Sequence, residues 1–333
     1  MKFDSAAILG SGSFGTAIAK LLSPKLDRIL LIGRDVDVAN GINVRHRNPQ
    51  YLTDISLPEN VTAGIEISGA AGHPLLIFAV PTSATRRCAE EIANAGLPAT
   101  AVLLSCAKGI EKSSGDRMSE ILHEVFPGNP VAVLSGPNHA EEIALGQPAC
   151  AVIGSVDATI ADGLQEVFTL PHFRPYTSTD LAGIELGGAI KNVYAIAAGI
   201  AHGLGLGDNA VAALVTRALA EMTRLGIALG GQMETFAGLS GVGDLLVTCF
   251  SEHSRNHRVG VALGKGKTLE ETVQSLGMVA EGVPNTLSIH EAARRAGVRT
   301  PIIDAMYCIL YEGKPAAKAL MELLSRDTRS ECE

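Results

Sequence analysis

The chain has 333 residues, with 27 Lys+Arg against 35 Asp+Glu and a formal net charge of −8. At roughly 100–200 residues per domain this length predicts two domains, and the acidic balance argues against nucleic acid or an anionic membrane as partner, since both select a basic footprint. Glycine is abundant at 36 residues while aromatics are 4% and Trp is absent, so small side chains let backbones approach one another or a ligand closely.

Up to about residue 180, short apolar runs alternate with amphipathic segments. Strands are predicted at 6–9, 28–32, 75–80, 101–105, 131–134 and 149–154, with helices at 15–22, 83–93, 113–125 and 138–144. Strand–helix alternation reads as a parallel sheet of βαβ units, and runs such as LLIFAV and AVLLS suit strands covered on both faces. Beyond residue 180 helical spacing takes over, at 180–201, 209–229, 269–273, 286–296 and 302–312. The fold class predicted is therefore α/β, an N-terminal Rossmann-type doubly wound sheet over 1–180 followed by an all-helical domain over 181–333. No stretch of 18 residues is uninterruptedly apolar, which predicts no membrane span. The segment after Lys2 loosely mimics a signal peptide, but Asp4 and three glycines break it.

Those glycines have a better explanation. The first strand runs into Gly10-Ser-Gly12-Ser13-Phe14-Gly15, where helical patterning begins. This is GxGxxG between a strand and a helix: Gly10 for the tight turn, Gly12 for close approach of a pyrophosphate, Gly15 for helix–strand packing, with the phosphates on the helix N-terminus. The second strand ends in Gly33-Arg34-Asp35. Arg34 can pair with a 2′-phosphate and so favours NADP, while Asp35, near the position that holds a ribose 2′-OH, leaves NAD open.

A dinucleotide enzyme also needs a group to move a proton. Lys191 is the single cation across some twenty mostly apolar helical positions, and its helical neighbours at 187, 188, 195 and 198 are Gly, Gly, Ala and Ala, predicting open space around the ammonium. Burial would bring its pKa into a range useful for acid–base work; the bland alternative is a lysine that snorkels to solvent. Lys108-Gly109 and Gly136-Pro-Asn138 follow strands at the carboxyl edge where open sheets bind ligands, although Asn138 could simply cap the next helix. Gly241-Val-Gly-Asp244 precedes Ser254-Arg255-Asn256-His257-Arg258, a helix start suited to an anion. Six scattered cysteines without a CxxC pair fit a reducing, cytoplasmic setting. The histidines show no metal spacing, and no nucleophile elbow is present, so no metal is predicted and nucleophilic catalysis is disfavoured.

Taken in order, GSGSFGTAIA, SCAKGIE, LSGPNHAEE, GGAIKNVYAIAAGI, GLGDNA, GVGDLLVTC, SRNHRVG and AEGVPNT resemble the NAD(P)-dependent glycerol-3-phosphate dehydrogenases of the bacterial type, along nearly the entire chain. The resemblance implies hydride transfer between NAD(P)H and dihydroxyacetone phosphate, giving sn-glycerol 3-phosphate for glycerophospholipid synthesis. It implies Lys191 as proton donor and acceptor, with Lys108 and Asp244 assisting. It further implies Gly136, Asn138, Ser254, Arg255 and Asn256 as substrate contacts. The cofactor site it implies is Gly10, Gly12, Ser13, Phe14, Gly15, Arg34, Lys108, Ala140, Arg255, Val279 and Glu281. Asn138 stands where most bacterial members have Ser, and His257 replaces the Arg or aromatic common after SRN.

Two other classes share the layout. The 3-hydroxyacid and 6-phosphogluconate dehydrogenases resemble a Lys with Asn four residues later, whereas Asn192 follows Lys191 directly and position 195 is Ala. A non-catalytic NAD(P)-sensing module would need the glycine loop without Lys108, Lys191, Asp244 and Arg255 together. The expected partners are a small phosphorylated substrate, no nucleic acid, and, from the glycine-rich helical part, a homodimer.

Overall fold

The computed structural model describes residues 3–276, 280–325 and 330. The first part of the chain is built from β1 (Ser5–Leu9), α1 (Ser13–Leu22), β2 (Arg28–Ile32), α2 (Val36–Arg45), β3 (Val61–Gly64), β4 (Leu75–Phe78), α3 (Thr82–Ala95), β5 (Val102–Ser105), α4 (Met118–Val125), β6 (Val131–Ser135), α5 (Ala140–Ala144), β7 (Ala149–Ser155), α6 (Ala158–Phe168) and β8 (Phe173–Ser178). The strands form one sheet in the order β3-β2-β1-β4-β5-β6-β7-β8.

Alternation along these strands divides the core between the two faces. Ile8, Leu75, Ile77, Val102 and Leu104 pack with α1 and α6 on one side, while Ala7, Leu9, Leu76, Phe78 and Leu103 pack with α3 and α4 on the other. Because β1 pairs with both β2 and β4, the chain winds outward in both directions from it. The crevice at its carboxyl end is the switch point where such sheets bind ligands.

The sheet differs from the expectation in two respects. It has two further strands, β3 and β8, and it is mixed, because β7 runs antiparallel to β6. Several boundaries also move: α1 begins at Ser13, β4 ends at Phe78, and α4 begins only at Met118, leaving 106–117 as a connection.

From residue 181 to 324 the regular elements among the described residues are helices: α7 (Leu181–Gly203), α8 (Asp208–Ala228), α9 (Met233–Phe236), a π-helical turn at Leu239–Gly243, α10 (Asp244–Phe250), α11 (Arg255–Gly264), α12 (Leu269–Leu276), α13 (Gly282–Arg295), α14 (Pro301–Tyr311) and α15 (Ala316–Leu324). Long and apolar enough by composition to cross a membrane, α7 has its apolar window wholly buried, so it is the axis of the helical core. A second glycine pattern accounts for its closest neighbour. A Cβ on Gly199 or Gly203 would lie 2.1 or 2.4 Å from a carbonyl oxygen of α11, and one on Gly260 or Gly264 2.1 or 2.5 Å from a carbonyl oxygen of α7. Two GxxxG stripes thus let the helices cross backbone against backbone, and this crossing carries the start of α11 to the side of α7.

Candidate active site

The glycine turn behaves as its residue types require. Gly10 has φ +111°, and a Cβ there would lie 2.4 Å from Ala79 O, so the turn fits tightly against the end of β4. A Cβ on Gly15 would strike Gly10 O, whereas Gly12 has nothing within 4 Å on that side. Gly12 is also the N-cap of α1 and brings no capping side chain, and the first turn holds no acid. The N–H groups of Ser13, Phe14 and Gly15 are therefore free to meet an anion in the open space over Gly12. Asn48, fully buried, braces the turn by donating to Ser11 O and Thr16 Oγ1, both at 2.9 Å.

At the end of β2, Arg34 is exposed and holds no ion pair among the described residues. Asp35 is engaged instead: it caps α2 through the N–H groups of Asp37 and Val38 and accepts from Gln50 Nε2 at 2.5 Å. The Gln50 amide and these backbone donors hold its carboxyl below the usual carboxylate range.

Across the sheet edge, four of the implied residues touch directly. Lys191, on α7, donates to Asp244 Oδ1 at the start of α10 and to Thr248 Oγ1 at 2.7 Å. Lys108, in the loop after β5, donates to Asp244 Oδ2 at 2.7 Å and to Gly136 O at 2.9 Å. Asp244 is 0% exposed and Lys191 6%. Burial pushes the Lys191 ammonium down to about 7; the Asp244 carboxylate works against that shift and the Lys108 charge reinforces it. Lys191 is therefore no snorkelling lysine. Nor is the space beside its small neighbours open. A Cβ on Gly187 would lie 2.4 Å from Ser240 O, and one on Gly188 2.8 Å from Ser135 Oγ and 3.4 Å from Lys108 Cγ. The glycines of α7 admit the π-helical turn and the Lys108 side chain, and that admission is what brings the two lysines to one carboxylate.

The remaining implied residues fall around this centre. Asn138 is not the cap of α5, which is His139; its Nδ2 donates to Cys150 O at 2.9 Å, leaving Oδ1 buried without a partner. Ser254 caps α11 by accepting from His257 N at 3.2 Å. Arg255 and Asn256 are the first residues of α11, and the Asn256 amide is hydrogen-bonded at both ends inside the chain. Glu281, the N-cap of α13, accepts from Thr82 Oγ1 at 3.2 Å; burial raises its carboxyl, and the Thr82 hydrogen bonds, with the Arg255 charge after them, partly offset this. Ala140 is buried against the core beside α1, and Val279 lies outside the described residues.

Some participants escape sequence reading. Thr248 lies four residues after Asp244, on the same helical face, and that spacing was a usable signal. His257 is drawn into a pair, its Nε2 2.6 Å from His202 Nδ1. The buried thiols Cys106 and Cys249 are pushed up to about 12 by burial, so neither supplies a nucleophile near neutrality.

A dinucleotide cradle at a switch point, facing a buried ammonium–carboxylate–ammonium cluster from a helical partner, is the layout of a two-part oxidoreductase. Comparison with known proteins makes the class specific. Residues 5–161 match the NAD-dependent glycerol-3-phosphate dehydrogenase N-terminus and residues 180–321 its C-terminus. The chain is 46% identical over 329 residues to glycerol-3-phosphate dehydrogenase [NAD(P)+] of Thermobifida fusca, covering 98% of each. It is 42% identical to the Clostridium perfringens protein of that name, covering 98% of this chain and 99% of that one. The crystal structure of glycerol-3-phosphate dehydrogenase from Coxiella burnetii superposes with a TM-score of 0.93 at 34% identity, covering 98% and 99% of the two chains. The chain belongs to the NAD-dependent glycerol-3-phosphate dehydrogenase family.

Proposed function

We propose that this chain interconverts dihydroxyacetone phosphate and sn-glycerol 3-phosphate, the backbone of glycerophospholipids, with NADPH as the preferred cofactor. The observation that carries the reading is the sharing of Asp244 by Lys108 and Lys191 beside the glycine cradle. It is supported by the names of the relatives.

The protein's own groups fit the dinucleotide: the open face of Gly12 and the free N–H groups of α1 for the pyrophosphate, and Arg34 for a 2′-phosphate, because Asp35 is taken up as a helix cap. When bound, the cofactor supplies the hydride. Lys191, as the ammonium, protonates the ketone oxygen; as the neutral amine it takes the proton back in the reverse direction. Its lowered pKa suits both roles. Asp244 aims both lysines and keeps their charges together in a dry site, so Lys108 adds a fixed positive charge where the alkoxide develops. The substrate phosphate lies at the start of α11, on the N–H groups of Arg255 and Asn256 and the Arg255 guanidinium, because Ser254 already satisfies the N–H of His257.

In this reading residues 1–180 hold the cofactor and 181–333 carry the acid–base and phosphate groups. The five described cysteines are free thiols, which supports a cytoplasmic setting. The glycines behind the expectation of a homodimer are taken up by the α7–α11 crossing and do not support it. Lys191→Ala should abolish NADPH oxidation with dihydroxyacetone phosphate while cofactor binding persists; near-normal turnover would reject the assignment.

A further inference from the structure

A second buried carboxylate fastens the two halves of the chain together. Glu185, in the second turn of α7, is 5% exposed and takes three hydrogen bonds from the start of α4. Ser119 N donates to its Oε1 at 2.8 Å, Ser119 Oγ to its Oε2 at 2.5 Å, and Arg117 Nη1 to the same Oε2 at 3.0 Å. α4 belongs to the sheet half, where its Leu122 packs in the core beside α3. Burial pushes the Glu185 carboxyl up, and the Ser119 and Arg117 contacts work against that rise. A carboxylate is tolerated in such a place only where partners satisfy it, and these partners all come from the other half.

These contacts join the same two segments as the proton-transfer cluster does. Glu185 precedes Lys191 by six residues on α7, about 9 Å along the helix axis. Arg117 follows Lys108 by nine residues, at the far end of the connection between β5 and α4. That connection has little pairing of its own beyond an Ile110–Arg117 bridge. In its middle, Ile110 is buried in the helical core, while Glu111 is held on the sheet side by Arg86 of α3, at 2.9 Å from both Nε and Nη2. Its course along α7 is set at its ends, by Asp244 on the Lys108 ammonium and by Glu185 on Arg117 and Ser119. A Cβ on Gly188, midway between Glu185 and Lys191, would lie 3.4 Å from Lys108 Cγ, so the two segments stay in close contact between the anchors.

We propose that Glu185 is a positioning residue for the reaction. By holding Arg117 and Ser119 it fixes where the connection lies along α7, and so where the Lys108 ammonium falls relative to Lys191 and the developing alkoxide. Glu185 touches no reacting atom and acts through Lys108. The inference rests on the roles given to Lys108 and Lys191 above.

The test uses the full chain with Glu185→Gln and Ser119→Ala, each also made in a Lys108→Met background. Misplacing a reacting group by an ångström can cost about 100-fold. Glu185→Gln should therefore lower kcat with dihydroxyacetone phosphate at least about tenfold, with the NADPH Kd within about threefold of the parent. Ser119→Ala, which leaves the Glu185 charge paired with Arg117, should lower kcat about threefold. The Lys108 charge depresses the Lys191 pKa, so its withdrawal should move the pH at which reduction fades upward, as Lys108→Met does. In the Lys108→Met background there is no lysine left to misplace. Each substitution should then change kcat by less than about twofold and leave that pH in place, whereas a purely structural lesion would cut kcat by the same factor in both backgrounds. Equal factors in the two backgrounds, or parental kcat and pH profile in Glu185→Gln, would overturn the role of Glu185. If Glu185→Gln does not fold, Ser119→Ala decides by the same two readings. Lys191→Ala and Lys108→Met alone separate the two levels: normal turnover in either removes the roles on which the inference rests, a failure distinct from that of Glu185.

Discussion

Lys108 and Lys191 reach the same carboxylate from opposite halves of the chain, one on each oxygen of Asp244. Two ammoniums around one buried anion leave the cluster with a surplus positive charge in a dry setting. That surplus, with burial as the larger cause, is why the Lys191 pKa falls so far.

A pH dependence of opposite sign in the two directions follows. Lys191 titrates near 7 rather than 10.5, so the proton-donating form fades as pH rises through about 7. Ketone reduction should therefore lose kcat/KM above neutrality, and alcohol oxidation should gain it over the same range. Profiles in both directions check this; curves that move together would contradict it. For folding, the unfolded chain keeps this proton between about 7 and 10.5 while the folded chain does not, so the cost of burying the ammonium is full below 7 and fades as pH rises through that window.

Gly12 separates cofactor binding from folding. A Cβ there meets nothing within 4 Å. Gly12→Ala should leave Tm within about 2 °C of the parent, since no packing is disturbed. The methyl group would intrude where the pyrophosphate approaches, weakening NADPH by about tenfold or more. Calorimetry paired with fluorescence titration measures both, and a Kd equal to the parent's would remove Gly12 from the cradle.

Arg34 stands exposed beside a carboxylate already used as a cap. Charge-assisted hydrogen bonds contribute about 1.5–3 kcal/mol, so Arg34→Glu should weaken NADPH about 10- to 100-fold with a much smaller effect on NADH. Equal losses for the two cofactors would show that Arg34 does not read the 2′-phosphate.

Glu221 provides a stability test away from the chemistry. At 1% exposure its carboxylate accepts from Ile302 N and Ile303 N at 3.0 Å, holding the start of α14, and burial raises its pKa to about 7. The folded chain then binds the proton more tightly than the unfolded one between 4.5 and about 7. The cost of the buried charge is full above 7 and is relieved as pH falls through that window. Relative to Glu221→Gln, the parent should gain about 3 kcal/mol of stability between neutral pH and about 4.5. Denaturant titrations at the two pH values decide it: a constant gap would mean that Glu221 does not titrate there.

Local features were legible in the residues and distant ones were not. The glycine turn declares itself because strand, turn and helix are contiguous, and Lys191 because one cation interrupts an apolar helix. β3 is four residues of VTAG and β8 is FRPYTS, broken by Arg and Pro, so neither shows clean alternation. The reversal at β7 is hidden because α5 resembles the helix of a crossover. The small residues beside Lys191 predict open space around the ammonium, whereas at Gly187 and Gly188 they mark where another element enters. The hold of Glu185 on Arg117 could not be found, with the two separated by 68 positions.

The crossing of α7 with α11 has a consequence for how the protein fails. One helix carries Lys191 and is also the axis of the second hydrophobic core, and at its two glycine pairs it meets α11 backbone against backbone, with no side chain there to yield. Loss of activity and loss of structure in this half should therefore coincide on heating, with no loosened yet working species between them. Core substitutions far from Asp244 would then shift both losses together, so the temperature at which turnover fails would report the stability of the fold.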